Sequence, residues 1–103
     1  MHSFLFLLLL ATPLVAAPVT FDNISERSGK WSDPATWGGH LPTSGAKVQI
    51  KAGHVVTFDV ETTAALRVVH VAGTLTFSRT QNTLLEVGLL GVTPGDTCSE
   101  GRG

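Results

Sequence analysis

The feature that most constrains this chain is a short apolar alternation that recurs and each time runs into glycine. Val48-x-Ile50 precedes Gly53, Val69-x-Val71 precedes Gly73, and Val87-x-Leu89 precedes Gly91. The step from Ile50 to Val71 is slightly longer than the step from Val71 to Leu89. After the first two glycines a second alternating pair follows, Val56-x-Phe58 and Leu75-x-Phe77. Alternation with period two places apolar side chains on one face of a strand and polar ones on the other. A strand, a Gly corner and a second strand make a unit too small to bury its own apolar face. Such units are stable when stacked, so a period of about 20 residues is the signature of a solenoid. The expected fold is therefore all-β, with short strands, Gly corners and β-helix-like stacking.

The alternative is a β-sandwich built from hairpins, with Ala52-Gly53 and Ala72-Gly73 as two-residue turns. Asn-Gly or Asp-Gly would be stronger hairpin turns. Hairpin pairing would also set Lys47 opposite Phe58 and His70 opposite Leu75, mixed pairs that favour stacked rungs. Strands are expected over 47–51, 55–60, 66–71, 74–77 and 84–90. The buried set is expected to be Val48, Ile50, Val69, Val71, Leu75, Phe77, Val87 and Leu89. Lys47, Gln49, Lys51 and His70 alternate with it and are expected to point outward.

Residues 1–16 form a different kind of segment. Phe4 to Leu10 is all Phe and Leu, followed by small residues through Ala17. A short apolar core leading to small residues is a secretory signal pattern. The run is shorter than the roughly 20 residues that span a bilayer, so no stable membrane insertion is expected. Pro18 disfavours cleavage directly after Ala17, which places the cut after Ala16. The domain layout is then a signal peptide over 1–16, an N-terminal lead-in over 17–29, a β domain over 30–92 and an irregular tail over 93–103.

The chain beyond Ala16 carries all seven basic and all eight acidic side chains, scattered without runs of one sign. A near-neutral chain of this kind is no polybasic nucleic-acid or membrane-surface binder. The same stretch holds all 11 glycines and is rich in Val, Ile and Thr, a bias toward strands and turns. The single cysteine, Cys98, excludes an internal disulfide and a Cys-rich zinc site. In a secreted protein it points to a disulfide with another molecule or with a missing region; an unpaired tail thiol is the other reading.

Catalytic signals are sparse. His40, His54 and His70 have no metal-ligand spacing and read as surface or loop histidines. Asp59 and Glu61, at i and i+2, are the only pair worth testing as glycosidase carboxylates. Their position before Thr62-Thr63 reads as a polar turn. No nucleophile elbow and no phosphate-cradling loop is present. No cofactor or metal is expected.

The informative segment is Trp31-Ser-Asp-Pro-Ala-Thr-Trp37, read as an ordered loop with one helical turn over 34–37. Its tryptophans either close the end of the β-core or stack on sugar rings. Trp37, followed by Gly38-Gly39, is expected to be buried, and Trp31 to face solvent. Asp33 is expected to cap its own turn. Trp31, Asp33, Trp37 and His40 are the candidate ligand contacts.

This segment, together with Leu41-Pro42, Gly45, Val48-x-Ile50, Gly53, Asp59, Gly73-Thr-Leu75-x-Phe77 and Leu85-x-Val87, resembles the G8 domain, a glycine-named β domain. The likeness runs from about Lys30 to Val92, more than half of the chain. Members occur in extracellular regions of surface proteins, some of them hyaluronan-depolymerising, and in secreted microbial proteins, where the domain often precedes a parallel β-helix. The resemblance implies a secreted, non-catalytic binding or structural module, with an extracellular polysaccharide or glycoprotein as partner. The alternative it implies is the N-terminal part of a polysaccharide-acting β-helix enzyme. It brings no catalytic residues onto this chain.

Overall fold

The computed structural model describes residues 18–61 and 65–96. Seven strands follow one another: β1 (Asn23–Ile24), β2 (Gly29–Lys30), β3 (Lys47–Ile50), β4 (Val55–Phe58), β5 (Leu66–Val71), β6 (Thr74–Phe77) and β7 (Val87–Val92). A 3-10 turn over Pro34–Trp37 separates β2 from β3. Odd-numbered strands form one sheet in the order β1-β3-β5-β7, and even-numbered strands form a second in the order β2-β4-β6. Every pairing is parallel. The chain thus steps from one sheet to the other and back, and each circuit stacks on the one before. This is a β-solenoid of about three turns, and it excludes the hairpin sandwich, because β3 pairs with β5 and not with β4.

The register holds constant along the first sheet from β3 onward. Val48 lies beside Val69 and Val69 beside Leu90; Ile50 lies beside Val71 and Val71 beside Val92. In the second sheet Val56 pairs with Leu75 and Phe58 with Phe77. Two expectations are corrected here. The third unit of the repeat is Leu90-x-Val92, not Val87-x-Leu89, so the second step equals the first instead of falling short of it. Gly91 is not a corner but a strand residue beside His70.

Two corners show what the glycines do. Gly53 has φ of +87°, a backbone state that favours glycine. Gly73 lies over that corner, where a Cβ would strike the carbonyls of Lys51 and His54. Stacked turns are tied by the backbone, with Thr74 N–H donating to the His54 carbonyl at 2.9 Å and Ala72 N–H to that of Ile50 at 2.9 Å.

The core lies between the sheets. Val48, Ile50, Val56, Phe58, Leu66, Val69 and Val71 are buried in it with Ala46, Trp31 and Trp37. Burial of each large side chain is worth about 1.5–3 kcal/mol, and the stacking rungs supply it. Four expectations about burial fail at the last turn: Phe77 and Leu89 are 45% and 43% exposed, and Leu75 and Val87 are half-buried. The reason is positional. Leu75, Phe77 and Val87 lie on the edge strands β6 and β7, which no further rung covers among the described residues, and Leu89, beside Val68, alternates away from the core-facing Leu90 and Val92.

Candidate functional site

The Trp-to-Trp segment is a cap. Pro34 begins the 3-10 turn, and Asp33 accepts a hydrogen bond from Ala35 N–H at 2.9 Å. Gly38 closes the turn at φ +76°. Thr36 is buried and donates its hydroxyl to the Lys30 carbonyl at 2.8 Å, which holds the turn against β2. Gly29 is required there, since a Cβ would come within 2.6 Å of the Thr36 hydroxyl oxygen.

Both indoles face inward. Trp37 is 4% exposed, as expected; Trp31 is 3% exposed, which corrects the expectation that it faces solvent. The Trp31 amide donates to the Thr57 carbonyl at 2.8 Å, and Trp37 Nε1–H donates to the Trp31 carbonyl at 2.9 Å. These bonds carry the chain over β4 and hold both rings in the core. Ser32 then fastens the turn to Asp59, whose carboxylate accepts from the Ser32 amide at 3.0 Å and its hydroxyl at 2.6 Å. Asp59 is therefore engaged as a staple of this loop.

The rings form a ladder. Trp37 meets Trp31 edge-to-face at 5.0 Å, Trp31 meets Phe58 at 4.9 Å, and Phe58 meets Phe77 at 5.6 Å. One end of the ladder is shut by the 3-10 turn. The other ends on Phe77, nearly half exposed, in an apolar hollow of about 340 Å³ that Leu75, Leu90 and Val92 also line. Trp31, Asp33 and Trp37 thus belong to one cap. His40 lies elsewhere, exposed in a cleft with Asp22, Thr43 and Ser44, and its carbonyl accepts from Asn23 Nδ2 at 2.9 Å.

Two polar clusters escaped the sequence reading. The first is a cleft of about 540 Å³ lined by Ile24, Ser25, Glu26, Lys51 and His54. Ser25 is buried, and its Oγ accepts the Lys51 amide at 2.9 Å. Its hydroxyl proton then goes to His54 Nδ1, 2.7 Å away, because a buried hydroxyl is kept paired. His54 is consequently half-buried and tied to the end of β1 rather than free on the surface.

The second cluster covers the outer face of the first sheet. Gln49 and His70, expected outward, do project from the face opposite the core, yet they are 4% and 1% exposed. The chain before β1 and the chain after β7 fold over them. Phe21 stacks on the His70 ring at 6.0 Å. Gln49 Nε2 contacts His70 Nδ1 at 3.1 Å and donates to the Asp96 carbonyl at 2.7 Å. His70 Nε2 lies 2.8 Å from Thr93 Oγ1. Asp96 also accepts the Ala52 amide at 2.8 Å through its carboxylate. Burial lowers the His70 pKa below its ordinary 6.5, with Asp96 pulling the other way. The stretch after β7 is therefore a strap, at least through Asp96, and not a frayed end. Alternation could locate this face but not what covers it.

Residues 1–16 and Cys98, on which the signal-peptide and disulfide expectations rest, lie outside the described residues. Among the described residues, no helix is long and apolar enough to cross a membrane. Nor do they hold a group of three or more His, Cys, Asp or Glu side chains that could bind a metal.

Comparison with known proteins returns no matching curated protein and no matching solved structure. A family model does match. It is that of the G8 domain, and it covers residues 36–97, from inside the 3-10 turn through both sheets to just beyond the strap. That span is more than half of the chain and takes in every strand from β3 to β7. The chain belongs to the G8 domain family.

Proposed function

We propose that this chain is a secreted, non-catalytic module of structural or binding type. It closes one end of a β-solenoid and presents the other end for docking. The observation that carries this reading is the asymmetry of the aromatic ladder, shut at Trp37 and open at Phe77. Buried aromatics are what a small domain uses to seal itself, and an exposed apolar rung is what it uses to join something else. Secretion is supported by the signal-like pattern of residues 1–16 and by the extracellular setting usual for G8 domains. A carbohydrate or matrix partner is supported by the family resemblance. On this chain it would draw on exposed Asp33 and His40 and on the polar cleft at His54, because both indoles are spent on the cap.

A second reading has its own support. Parallel strands stacked in a fixed register are the architecture a β-helix uses, and the open rung would suit the N-terminal unit of a polysaccharide-acting enzyme of that type. One experiment separates the two. The secreted chain is incubated with glycosaminoglycans and with plant and microbial polysaccharides, and both binding and polymer length are followed. Binding with polymer length unchanged supports the module. Depolymerisation by this chain would overturn it in favour of the enzyme.

A further inference from the structure

We propose that Gln49, His70 and Thr93 form an acid-sensitive latch that fastens the Thr93–Asp96 strap, and with it edge strand β7, to the outer face of the solenoid.

The protonation state follows from the hydrogen bonds. The Gln49 amide nitrogen donates to the Asp96 carbonyl at 2.7 Å, which fixes the orientation of the amide. Turned over, its oxygen would face another carbonyl oxygen, and neither can donate. The second amide proton then points at His70 Nδ1, 3.1 Å away, so Nδ1 must accept and carries no proton. The neutral ring holds its proton on Nε2 and donates it to Thr93 Oγ1 at 2.8 Å. Both ring nitrogens are thus used, and only the neutral Nε2–H form satisfies both.

A second proton can go only to Nδ1, where it meets the Gln49 N–H head on. Gln49 must then swing away, and it loses the Asp96 carbonyl as well. The groups packed on the ring are Phe21 from the lead-in, Gln49 from β3, Gly91 from β7, and Thr93 and Asp96 from the strap. Asp96 alone among them is charged. Its attraction for imidazolium is outweighed by burial, so the neutral ring is favoured in the closed state.

Among the described residues the strap is also held by the Asp96 carboxylate on the Ala52 amide at 2.8 Å and by the Thr93 amide on the Val71 carbonyl at 3.2 Å. Their amide protons report closure directly. Acid that protonates His70, at a pH below its ordinary 6.5, therefore unfastens the strap.

The test is an NMR titration of the ¹⁵N-labelled chain from pH 7.5 to 5. At pH 7.5 the His70 ring should show the Nε2–H tautomer. As it gains its second proton, below pH 6.5, protection of the Ala52 and Thr93 amides should fall tenfold or more. The Thr74 amide, bonded to the His54 carbonyl, should keep its protection. His70→Gln should abolish the acid response at both reporters. Gln49→Glu places an acceptor at Nδ1 and should raise the His70 titration above that of the wild type, which needs no intact strap to read. Four results would overturn the latch. These are an Nδ1–H tautomer, protonation of His70 with both reporters unchanged, an acid response that survives His70→Gln, and a His70 titration that Gln49→Glu leaves in place.

Discussion

Phe58 and Phe77 occupy the same register position on neighbouring rungs, yet they should differ sharply when truncated. Phe58 is fully buried and touches Trp31 on one side and Phe77 on the other, at 4.9 and 5.6 Å. Phe58→Ala removes a whole side chain from between two rungs and leaves a cavity that neither can fill. Such truncations cost about 3–5 kcal/mol. That is a large part of the roughly 5–15 kcal/mol that holds a typical domain together. Phe77 keeps 45% of its surface in water and has one aromatic neighbour. Its buried half is worth about 1 kcal/mol of transfer, with little cavity term, since solvent already reaches the site. The lost ring pair adds about 0.5–1.5 kcal/mol. Phe77→Ala should therefore cost about 2 kcal/mol, below the roughly 3–5 kcal/mol that full burial in the core would imply. Urea denaturation followed by far-ultraviolet circular dichroism measures both. Equal costs would mean that Phe77 is covered in solution and that the solenoid has no open end there.

Other outcomes follow from the same geometry. Gly73→Ala drives a methyl group into the carbonyls of Lys51 and His54 and should cost about 1–3 kcal/mol by urea denaturation. Variants that retain only Trp31 or only Trp37 should both resist iodide quenching, because the two residues are only 3% and 4% exposed. Stability should depend on pH through His70. Its folded pKa lies below the unfolded 6.5, so the unfolded chain binds the proton first. The contribution is complete above pH 6.5, is lost as pH falls from there through the folded value, and is constant below it. Urea midpoints measured from pH 8 to 5 should fall along that curve, and His70→Gln should remove this component.

Much of this fold is legible in the sequence because stacking is periodic. Val48-x-Ile50 and Val69-x-Val71 announce two rungs, and Gly53 and Gly73 announce their corners. Pro34 after Asp33 announces the 3-10 turn. The pattern misleads at β7, where Gly91 looks like another corner. In the structure Gly88 and Gly91 lie within the strand and make no bend; at Gly88 a Cβ would come within 3.0 Å of the Arg67 carbonyl, a close approach that glycine accommodates. The candidate site is less legible. Alternation reports which face a side chain takes and is silent on whether distant chain folds over that face. Phe21 and Asp96 reach His70 from opposite ends of the described chain, and no local pattern links them to it. Trp31 is misplaced by its neighbours for a related reason. Lys30 and Ser32 are polar and satisfied at the surface, while the indole between them turns inward onto Phe58.

Parallel stacking of one turn on the next is tested most directly by inter-residue nuclear Overhauser effects in the folded chain. It predicts contacts between matched positions of successive turns: Val48 with Val69, Val69 with Leu90, Val56 with Leu75, and Phe58 with Phe77. Antiparallel contacts across the glycine corners, with Lys47 facing Phe58 and His70 facing Leu75, would contradict it.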